Sequence, residues 1–250
     1  MLRFEPVGLP ETHVGFTSVA DGNLALHVGD DAADVAERRG DLEARLGVDP
    51  GALRFMDQVH SADVHLVSTG GSLRLASHRA SAPTADALVS ADGSAPLAVM
   101  VADCVPVVLA GAVDGGVATA VAHAGRAGLL GGVLQNTVRA LRDAGAGAIQ
   151  AWIGPSVCGR CYEVPPDMAA GAEAILPGIA TTTRRGTSGL DLPGAARGLL
   201  ASEGVAVVET GICTLEDTNY YSYRRDPATG RFAGLVWVGT ADGPERSGAQ

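Results

Sequence analysis

The sequence predicts an α/β fold organised as one domain. Val-rich apolar runs of strand length alternate along the chain with segments whose apolar residues recur at helical spacing. The chain has 250 residues, enough to bury a sizeable core, and shows no linker between two halves. We therefore expect a single domain over residues 1–240 and a flexible C-terminal tail over residues 241–250.

The composition is acidic and free of lysine. The formal net charge is -10, and all 18 residues of the Lys+Arg total are arginines. Nucleic acid is an unfavourable partner for such a chain, because affinity for a phosphate backbone comes from many clustered cations. The absence of lysine also excludes enzymes that need a Schiff base on the protein, attached pyridoxal phosphate or a Walker-type lysine.

Nothing in the sequence predicts association with a membrane. Apolar runs are interrupted by Gly, Pro or a charge before they reach the length of a bilayer span. Residues 1–6 show no extended apolar stretch of a secretory signal, so we expect a cytoplasmic protein. In that reducing compartment the four cysteines do not need to form disulfides, and their interest is chemical.

The first half of the chain predicts a surface helix, a set of strands and a long loop. The helix runs from Ala32 to Leu46, with Asp31 as its N-cap. Residues 68–84 form a loop that is either part of an active site or a tolerated insertion. Pro106 is expected to limit regular pairing of its strand. Strands are predicted at Leu53 to Gln58, Val64 to Val67, Leu97 to Val101, Val105 to Leu109 and Val117 to Ala122.

The second half predicts three more helices and three more strands. The helices are Leu129 to Leu141, Pro165 to Leu176 and Leu192 to Ser202. The strands are Ala151 to Ile153, Val205 to Glu209 and Leu235 to Val238. Three of the four tyrosines fall between Thr218 and Asp226, a segment that either stacks on a flat ligand or caps the end of a sheet.

Three potential metal ligands, His60, Cys104 and His123, each end or follow a predicted strand. Side chains at strand ends can converge at one edge of a sheet, and two imidazoles with a thiolate would make a zinc site with one open position. Their separations, 44 residues (60 to 104) and 19 (104 to 123), suit such an open site better than a compact structural motif. Two alternatives remain: simple packing of each side chain, and a metal-free pair with Cys104 as nucleophile and His123 as base.

The segment from His123 to Gly128 joins a predicted strand to a predicted helix. Backbone N–H groups at a helix N-terminus favour an anion, and Arg126 would strengthen such a site. The segment lacks the spacing and the lysine of a P-loop, and small residues in these turns commonly serve packing. A bound anion and simple packing both remain open.

Cys158 and Cys161 have the spacing of a ligand pair, but their role stays open. A zinc nucleobase deaminase would need Pro directly before the first Cys and an H-x-E partner, whereas Pro155 lies three residues before Cys158. A redox pair lacks a thioredoxin-like context. A multicopper oxidase is disfavoured because the six histidines include no His-x-His pair.

Seven motifs, in order along the chain, carry a resemblance to a known family. They are Gln58 to His60, Ala85 to Val89, Val101 to Val107, Val121 to Arg126, Ile153 to Pro155, Cys161 to Val164 and Ser222 to Asp226. From about Gly15 to Val238 the chain resembles the YfiH family, which has long been labelled polyphenol oxidoreductase laccase.

The resemblance implies a compact α/β domain, an α+β-like layered sandwich related to the cysteine-hydrolase domain of bacterial cytotoxic necrotizing toxins. It implies a Zn²⁺ site with His60, Cys104 and His123 as ligands, copper being the less favoured metal. It also implies phosphorolysis of adenosine, inosine and 5′-methylthioadenosine, with adenosine deaminase activity. The partners would be a purine nucleoside and phosphate, with neither nucleic acid nor a membrane. The protein would be a monomer or a homodimer.

The resemblance and the residue chemistry together assign candidate roles. The residues expected to carry catalysis are His60, Asp103, Cys104 and His123, and those expected to contact the substrate are Arg126, Tyr223 and Arg224. Asp103 is either an acid/base group or a backbone cap. Two other function classes remain: a metal-independent Cys–His hydrolase or amidase that edits a cell-wall precursor, and a non-catalytic binding protein.

Overall fold

The computed structural model describes residues 1–9, 11–67 and 82–239. Most of the loop predicted at residues 68–84 and the whole tail predicted at residues 241–250 lie outside these ranges. Both expectations therefore stay predictions. Within the described ranges, no helix combines the length and the apolar character that crossing a bilayer requires.

Strands and helices make up about half of the described chain. The helices are α1 (Ala32–Leu46), α2 (Arg126–Gly131), α3 (Val133–Asp143), α4 (Pro166–Ile175) and α5 (Leu192–Ser202). The strands are β1 (Leu2–Phe4), β2 (Thr12–Phe16), β3 (Val64–Leu66), β4 (Ala87–Ser90), β5 (Leu97–Val101), β6 (Val105–Val113), β7 (Gly116–Ala124), β8 (Ile149–Ile153), β9 (Ala180–Thr182), β10 (Ser188–Leu190), β11 (Ala206–Glu209) and β12 (Phe232–Val238).

Two sheets carry the fold. The larger sheet has the order β11-β8-β6-β7-β4-β3; its central pairs are antiparallel, and the pairs at its two edges are parallel. The smaller sheet, β1-β2-β12-β5, is antiparallel throughout. β9 and β10 form a separate ribbon. The predicted mixed α/β single-domain fold is thus confirmed.

The sheets and helices stack in four layers. Side chains alternate along the strands, so that Val107 of β6 packs toward α3, α4 and α5 while Val108 packs toward the smaller sheet. Helix α1 covers the other face of the smaller sheet, where Leu42 lies in one apolar cluster with Leu235. Because the larger sheet is covered on both faces, its central strands β6 and β7 are buried except beside the turn that joins them.

Several predicted elements have the observed bounds. Helix α1 spans Ala32–Leu46, and the Asp31 carboxylate accepts a hydrogen bond from the N–H of Ala33 at 2.7 Å, as an N-cap should. Helix α5 and strand β5 also begin and end where the sequence predicts. Strands β6 and β7 extend beyond the predicted ends to form a long antiparallel pair.

The segment from Leu53 to Gln58 is not a strand, contrary to the prediction. It makes isolated bridges only, at Arg54 with β5 and at Asp57 with the segment before β4. Phe55 packs in the cluster under α1, and Met56 packs between the two sheets. The apolar pattern therefore reflects burial of a segment that passes from one layer to the next.

Two further predictions are corrected by local backbone geometry. The helix expected from Leu129 to Leu141 is divided into α2 and α3 at Gly132, whose φ of 91° is left-handed and ends the first helix. Pro106 does not interrupt β6. Its carbonyl accepts the N–H of Gly154 at the end of the β6–β8 pairing, so the missing proline N–H faces a position where the regular ladder has stopped.

Candidate metal and substrate site

The three ligands predicted from the sequence lie together. One donor atom from each of His60, Cys104 and His123 lies within 4.8 Å of the other two. Cys104 Sγ is 3.7 Å from Nε2 of His60, and the two imidazole rings stand edge to face with centroids 4.6 Å apart. The fold thus brings together side chains that the sequence separates widely.

Three elements position these side chains. Cys104 directly precedes β6, and His123 lies in β7 opposite Pro106. Both therefore lie at the same end of the β6–β7 pair. His60 comes from the loop before β3, where a φ of 63° places it in the left-handed region that non-glycine residues rarely adopt. Such strained backbone is common at functional sites, because the surrounding contacts must hold it.

Those contacts come from Asp86, a fully buried carboxylate that the sequence analysis did not single out. Its Oδ1 lies 2.7 Å from Nδ1 of His123 and accepts the N–H of His60 at 3.0 Å. Its Oδ2 accepts the N–H of Ser61 at 2.6 Å and that of Val59 at 3.2 Å. The sequence feature that could have indicated this role is the single acidic residue in the otherwise apolar motif from Ala85 to Val89.

Gly125 leaves the space that the ligands need. A Cβ added at this position would lie 2.6 Å from Cδ2 of His60 and 3.3 Å from Sγ of Cys104. Gly125 has a φ of -69°, so its backbone does not require glycine. Gly125 is therefore explained by its close packing against His60 and Cys104 rather than by a need for backbone freedom.

Electrostatics favour a Cys104 thiolate beside a protonated His123 in the metal-free protein. Burial opposes ionisation of Cys104, but the charge and hydrogen bond of His123, with help from His60, lower the pKa of Cys104 to about 6. Burial also opposes protonation of His123, but the Cys104 and Asp86 anions raise the pKa of His123 to about 9. Despite its own burial, Asp86 has its pKa lowered to about 2, chiefly by His123 and the N–H of Ser61.

Asp103 precedes Cys104 and is committed to structural contacts. Its Oδ1 accepts the Thr214 hydroxyl at 2.6 Å, and its Oδ2 accepts the N–H of Arg224 at 2.7 Å. Its carbonyl accepts the N–H of Val157 at 3.0 Å, and its φ is 87°. Of the two roles considered for Asp103, these contacts favour the backbone cap.

A cavity of about 400 Å³ opens beside the three ligands. Its volume lies in the range of sites for small molecules. Tyr223 and Arg224, two of the predicted substrate contacts, line this cavity, whereas Arg126 is not among its lining residues. The wall also contains side chains that sequence reasoning missed, namely Arg39, Phe55, Tyr162 and Arg231.

Each of the three cavity arginines lies over an aromatic ring. The distances from Cζ to the ring centroid are 3.8 Å for Arg39 over Phe55, 4.5 Å for Arg224 over Tyr162 and 6.0 Å for Arg231 over Tyr223. Burial lowers the pKa of Arg39 to about 10 and also lowers the pKa of Arg231. Arginine stays charged at neutral pH even so, and the cavity therefore offers planar cationic donors.

The tyrosine-rich segment has rings in two different environments. Tyr220 is buried between the sheets and packs edge to face on Phe232, with centroids 5.2 Å apart. Tyr223 is 52% exposed and lines the cavity. The segment therefore packs one ring in the core and places another at the cavity wall, and its stacking on a flat ligand stays a prediction.

The donor set fits a zinc ion with one open coordination position. Two imidazoles and a thiolate are ligands that zinc prefers. Asp86 engages Nδ1 of His123, which leaves Nε2 of that ring for a metal. Carboxylate–histidine pairs of this kind orient the ligands of zinc sites. The structure therefore contains both a ligand set and the buried support that such a set requires.

The chain is similar to known proteins over most of its length. The family model described as multi-copper polyphenol oxidoreductase laccase matches residues 11–239. A protein named purine nucleoside phosphorylase from Streptomyces coelicolor is 42% identical over 238 residues, which cover 90% of this chain and 95% of that protein. Another protein of that name, from Streptomyces griseus, is 43% identical over 219 residues, which cover 86% of each.

Solved structures share the fold. The hypothetical protein YfiH from Bacillus licheniformis matches with a TM-score of 0.81 and 27% identity, covering 91% of this chain and 93% of that chain. YlmD from Geobacillus stearothermophilus matches with a TM-score of 0.82 and 28% identity, covering 94% of both. The chain belongs to the YfiH family, whose matching family model carries the description multi-copper polyphenol oxidoreductase laccase.

Proposed function

We propose that this chain is a zinc-dependent purine nucleoside phosphorylase acting on adenosine, inosine and 5′-methylthioadenosine, with adenosine deaminase activity. The relatives named purine nucleoside phosphorylase support the phosphorylase at about 40% identity over most of the chain. The observation that carries the proposal is the meeting of His60, Cys104 and His123 at the wall of a cavity that also presents three arginines.

Zinc is the proposed metal despite the copper in the family label. One thiolate and two imidazoles around an open position match a catalytic zinc site, whereas a multi-copper centre needs many more histidines. When bound, zinc would supply a Lewis acid that polarises a substrate oxygen. Asp86 would keep the His123 ring in place for this role through the hydrogen bond to Nδ1.

Arg224 and Arg231 are proposed to bind phosphate. Planar guanidinium groups donate paired hydrogen bonds to phosphate oxygens. Arg224 is fixed by a hydrogen bond from its Nη1 to the carbonyl of Glu163 at 2.7 Å. Arg231 lies close enough to Cys104 and Asp103 for their charges to oppose the lowering of its pKa by burial. A phosphate on Arg231 would therefore lie near the thiolate, where a nucleoside must react.

The purine is proposed to lie against the aromatic part of the same cavity. Phe55, Tyr162 and Tyr223 offer flat faces for a base, and their amphipathic or apolar rings favour stacking. Deamination is assigned to this site as well. A purine held here would lie beside His60, Cys104 and His123, the residues proposed to hold the zinc.

A metal-independent cysteine hydrolase is the second candidate, and one observation favours it. Cys104, His123 and Asp86 form a chain of nucleophile, base and orienting carboxylate, which is the arrangement of cysteine hydrolases. The kinship with the cysteine-hydrolase domain of necrotizing toxins, expected from the resemblance, belongs to this candidate. Its substrate would be an amide such as a cell-wall precursor.

One experiment separates the two candidates. The purified protein is analysed for metal and then incubated with adenosine, inosine or 5′-methylthioadenosine, with and without phosphate, and the products are separated by HPLC. The phosphorylase proposal requires bound zinc and phosphate-dependent release of free base, both lost on chelation and restored by zinc. Unchanged nucleosides together with a metal-free protein would overturn it. Amidase activity that survives chelation but not Cys104→Ala would establish the hydrolase.

A further inference from the structure

A second cluster of soft ligands lies away from the cavity. Cys158, Cys161, Cys213 and Glu216 each offer a donor atom, and these four atoms all lie within 4.8 Å of one another. Cys213 is buried, Cys158 and Cys161 are half-buried, and Glu216 is exposed. The four described cysteines are thus divided between one thiol in the first site and three in this cluster.

The cluster joins two loops that come from distant parts of the sequence. The first follows β8 and forms a tight turn, in which the N–H groups of Cys161 and Tyr162 both donate to the carbonyl of Cys158 at 2.9 Å. The second follows β11 and contains Cys213 and Glu216. The turn presents two sulfurs on one side of the first loop, as the C-x-x-C half of many zinc sites does.

Hydrogen bonds within the cluster already point its donor groups at a common centre. The N–H of Cys158 donates to Sγ of Cys213 at 3.4 Å, and Sγ of Cys161 donates to Oε1 of Glu216 at 3.1 Å. This preorganisation distinguishes the cluster from cysteines that are merely buried.

We propose that Cys158, Cys161, Cys213 and Glu216 form a second metal site, of the closed structural type, that takes zinc. Zinc–sulfur bonds of about 2.3 Å in a tetrahedron place neighbouring sulfurs about 3.8 Å apart. Donor atoms at most 4.8 Å apart therefore reach this geometry with movements of about 1 Å or less. Four protein ligands fill the coordination shell, so this site structures the chain and leaves the chemistry to His60, Cys104 and His123.

The surroundings provide both charge balance and access. Three thiolates and a carboxylate exceed the charge of a zinc dication, and Arg184 forms an ion pair with Glu216 that offsets the excess. Cys161 and Glu216 line an open groove of about 960 Å³, whose wall also holds Arg160 and Arg185. An ion can therefore enter from solvent, and the completed anionic site would lie among cationic side chains.

The second site would act on the first through Asp103. Val157 and Thr214, each adjacent to a cysteine of the cluster, hold the Asp103 carbonyl at 3.0 Å and its carboxylate at 2.6 Å. Asp103 has left-handed backbone and directly precedes Cys104. An ion that joins the two loops would thus hold Val157 and Thr214 in position and, through them, the backbone that presents Cys104.

The test uses a variant that removes the only thiolate of the first site. Cys104→Ser is loaded with Co²⁺, whose thiolate bonds give a charge-transfer absorption that imidazole and carboxylate ligands do not. We expect about one equivalent of Co²⁺ with this absorption, and its loss when Cys158→Ser and Cys161→Ser are added. An absent thiolate band in Cys104→Ser, or a band unchanged by the two added substitutions, overturns the proposal.

A second measurement needs no substitution in the cluster. The wild-type protein, loaded with zinc, is alkylated with iodoacetamide before and after chelation, and each cysteine is followed by mass spectrometry. The reaction is run in alkaline solution, because the pKa of Cys161 is raised in the metal-free protein. We expect Cys158 and Cys161 to be protected until zinc is removed, and then to react. Free reaction of both thiols in the zinc-loaded protein overturns the proposal. So does an intact mass two hydrogens lower than expected that chelation leaves unchanged, since the thiols would then form a disulfide.

Discussion

Nδ1 of His123 lies 2.7 Å from the Asp86 carboxylate, which also accepts the backbone N–H groups of Val59, His60 and Ser61. One buried group thus orients the His123 ring and holds the left-handed backbone at His60. Asp86 therefore holds the His123 ring and the His60 backbone in place relative to each other without a bound metal.

Asp86→Asn should weaken zinc binding by about 10–100-fold, the range observed when such supporting carboxylates are removed. The amide keeps the volume of the carboxyl group but loses its charge and turns one acceptor into a donor, so that a backbone N–H of the His60 loop faces an NH₂ group. Competition titration against a chromogenic chelator measures the affinity. Asp63→Asn, an exposed carboxylate just after the same loop, is the matched control and should bind zinc as the wild type does. Equal affinities of the two variants would contradict the role given to Asp86.

The alkylation rate of Cys104 in the metal-free protein should rise at a pH that is low for a thiol. Since its pKa is lowered to about 6, Cys104 is a thiolate above that pH, and alkylation should reach its plateau near neutrality. Loss of the His123 proton near its pKa of about 9 then removes the partner cation. The stabilisation from this ion pair is therefore present between these two values. It is lost as pH falls through about 6 and as it rises through about 9.

Cys161 provides the internal control for this titration. Burial, with the hydrogen bond to Glu216, raises the pKa of Cys161, so its alkylation should begin only in strongly alkaline solution. Rates for both thiols come from one mass-spectrometric series on the chelated protein. Parallel pH profiles for Cys104 and Cys161 would show that His123 does not stabilise the Cys104 thiolate.

Gly125→Ala should impair metal binding while the protein remains folded. The backbone accepts alanine, but the added Cβ would lie 2.6 Å from Cδ2 of His60 and displaces that ring. A ligand moved by about 1 Å can reduce activity about 100-fold. Gly131→Ala, where an added Cβ would make an ordinary contact of 3.4 Å with Ala62, is the control in the same short helix region. Zinc content and thermal unfolding are measured for both; normal zinc content in Gly125→Ala would contradict the packing argument.

The sequence located the three candidate ligands better than the residues that support them. His60, Cys104 and His123 were identifiable because their chemistry is specific and because strand ends converge in sheet proteins. Helix α1 was predictable for a local reason, since an N-cap and apolar spacing lie within one segment. These features depend on residues close together in sequence or on side chains with few other purposes.

Asp86 and Arg231 could not be assigned in the same way. Asp86 acts through backbone groups of a loop that lies 25 or more residues earlier, and Arg231 reaches the cavity from the segment just before β12. Their roles come from long-range contacts that spacing does not encode. The left-handed Gly132 divides a helix whose apolar pattern continues without a break, so periodicity alone could not locate that boundary.

The arginine proposed to bind phosphate differs between the sequence and the structure. The sequence favoured Arg126 at a helix N-terminus, whereas the structure places Arg231 in the cavity wall and Arg126 outside it. Arg231→Met should therefore raise the KM for phosphate by about 10–100-fold, since a hydrogen bond to a charged group contributes about 1.5–3 kcal/mol. Arg126→Met should change the KM little.

Steady-state phosphorolysis of inosine at varied phosphate distinguishes these outcomes. Arg139→Met, an exposed α3 arginine that donates to Asn136, controls for the loss of one positive charge. The KM for inosine should change less than the KM for phosphate in Arg231→Met, because the guanidinium contacts the anion and the aromatic rings contact the base. If Arg126→Met alone raises the KM for phosphate, the anion lies at the turn after β7. The nucleoside would then bind with its sugar toward that turn rather than toward Arg231.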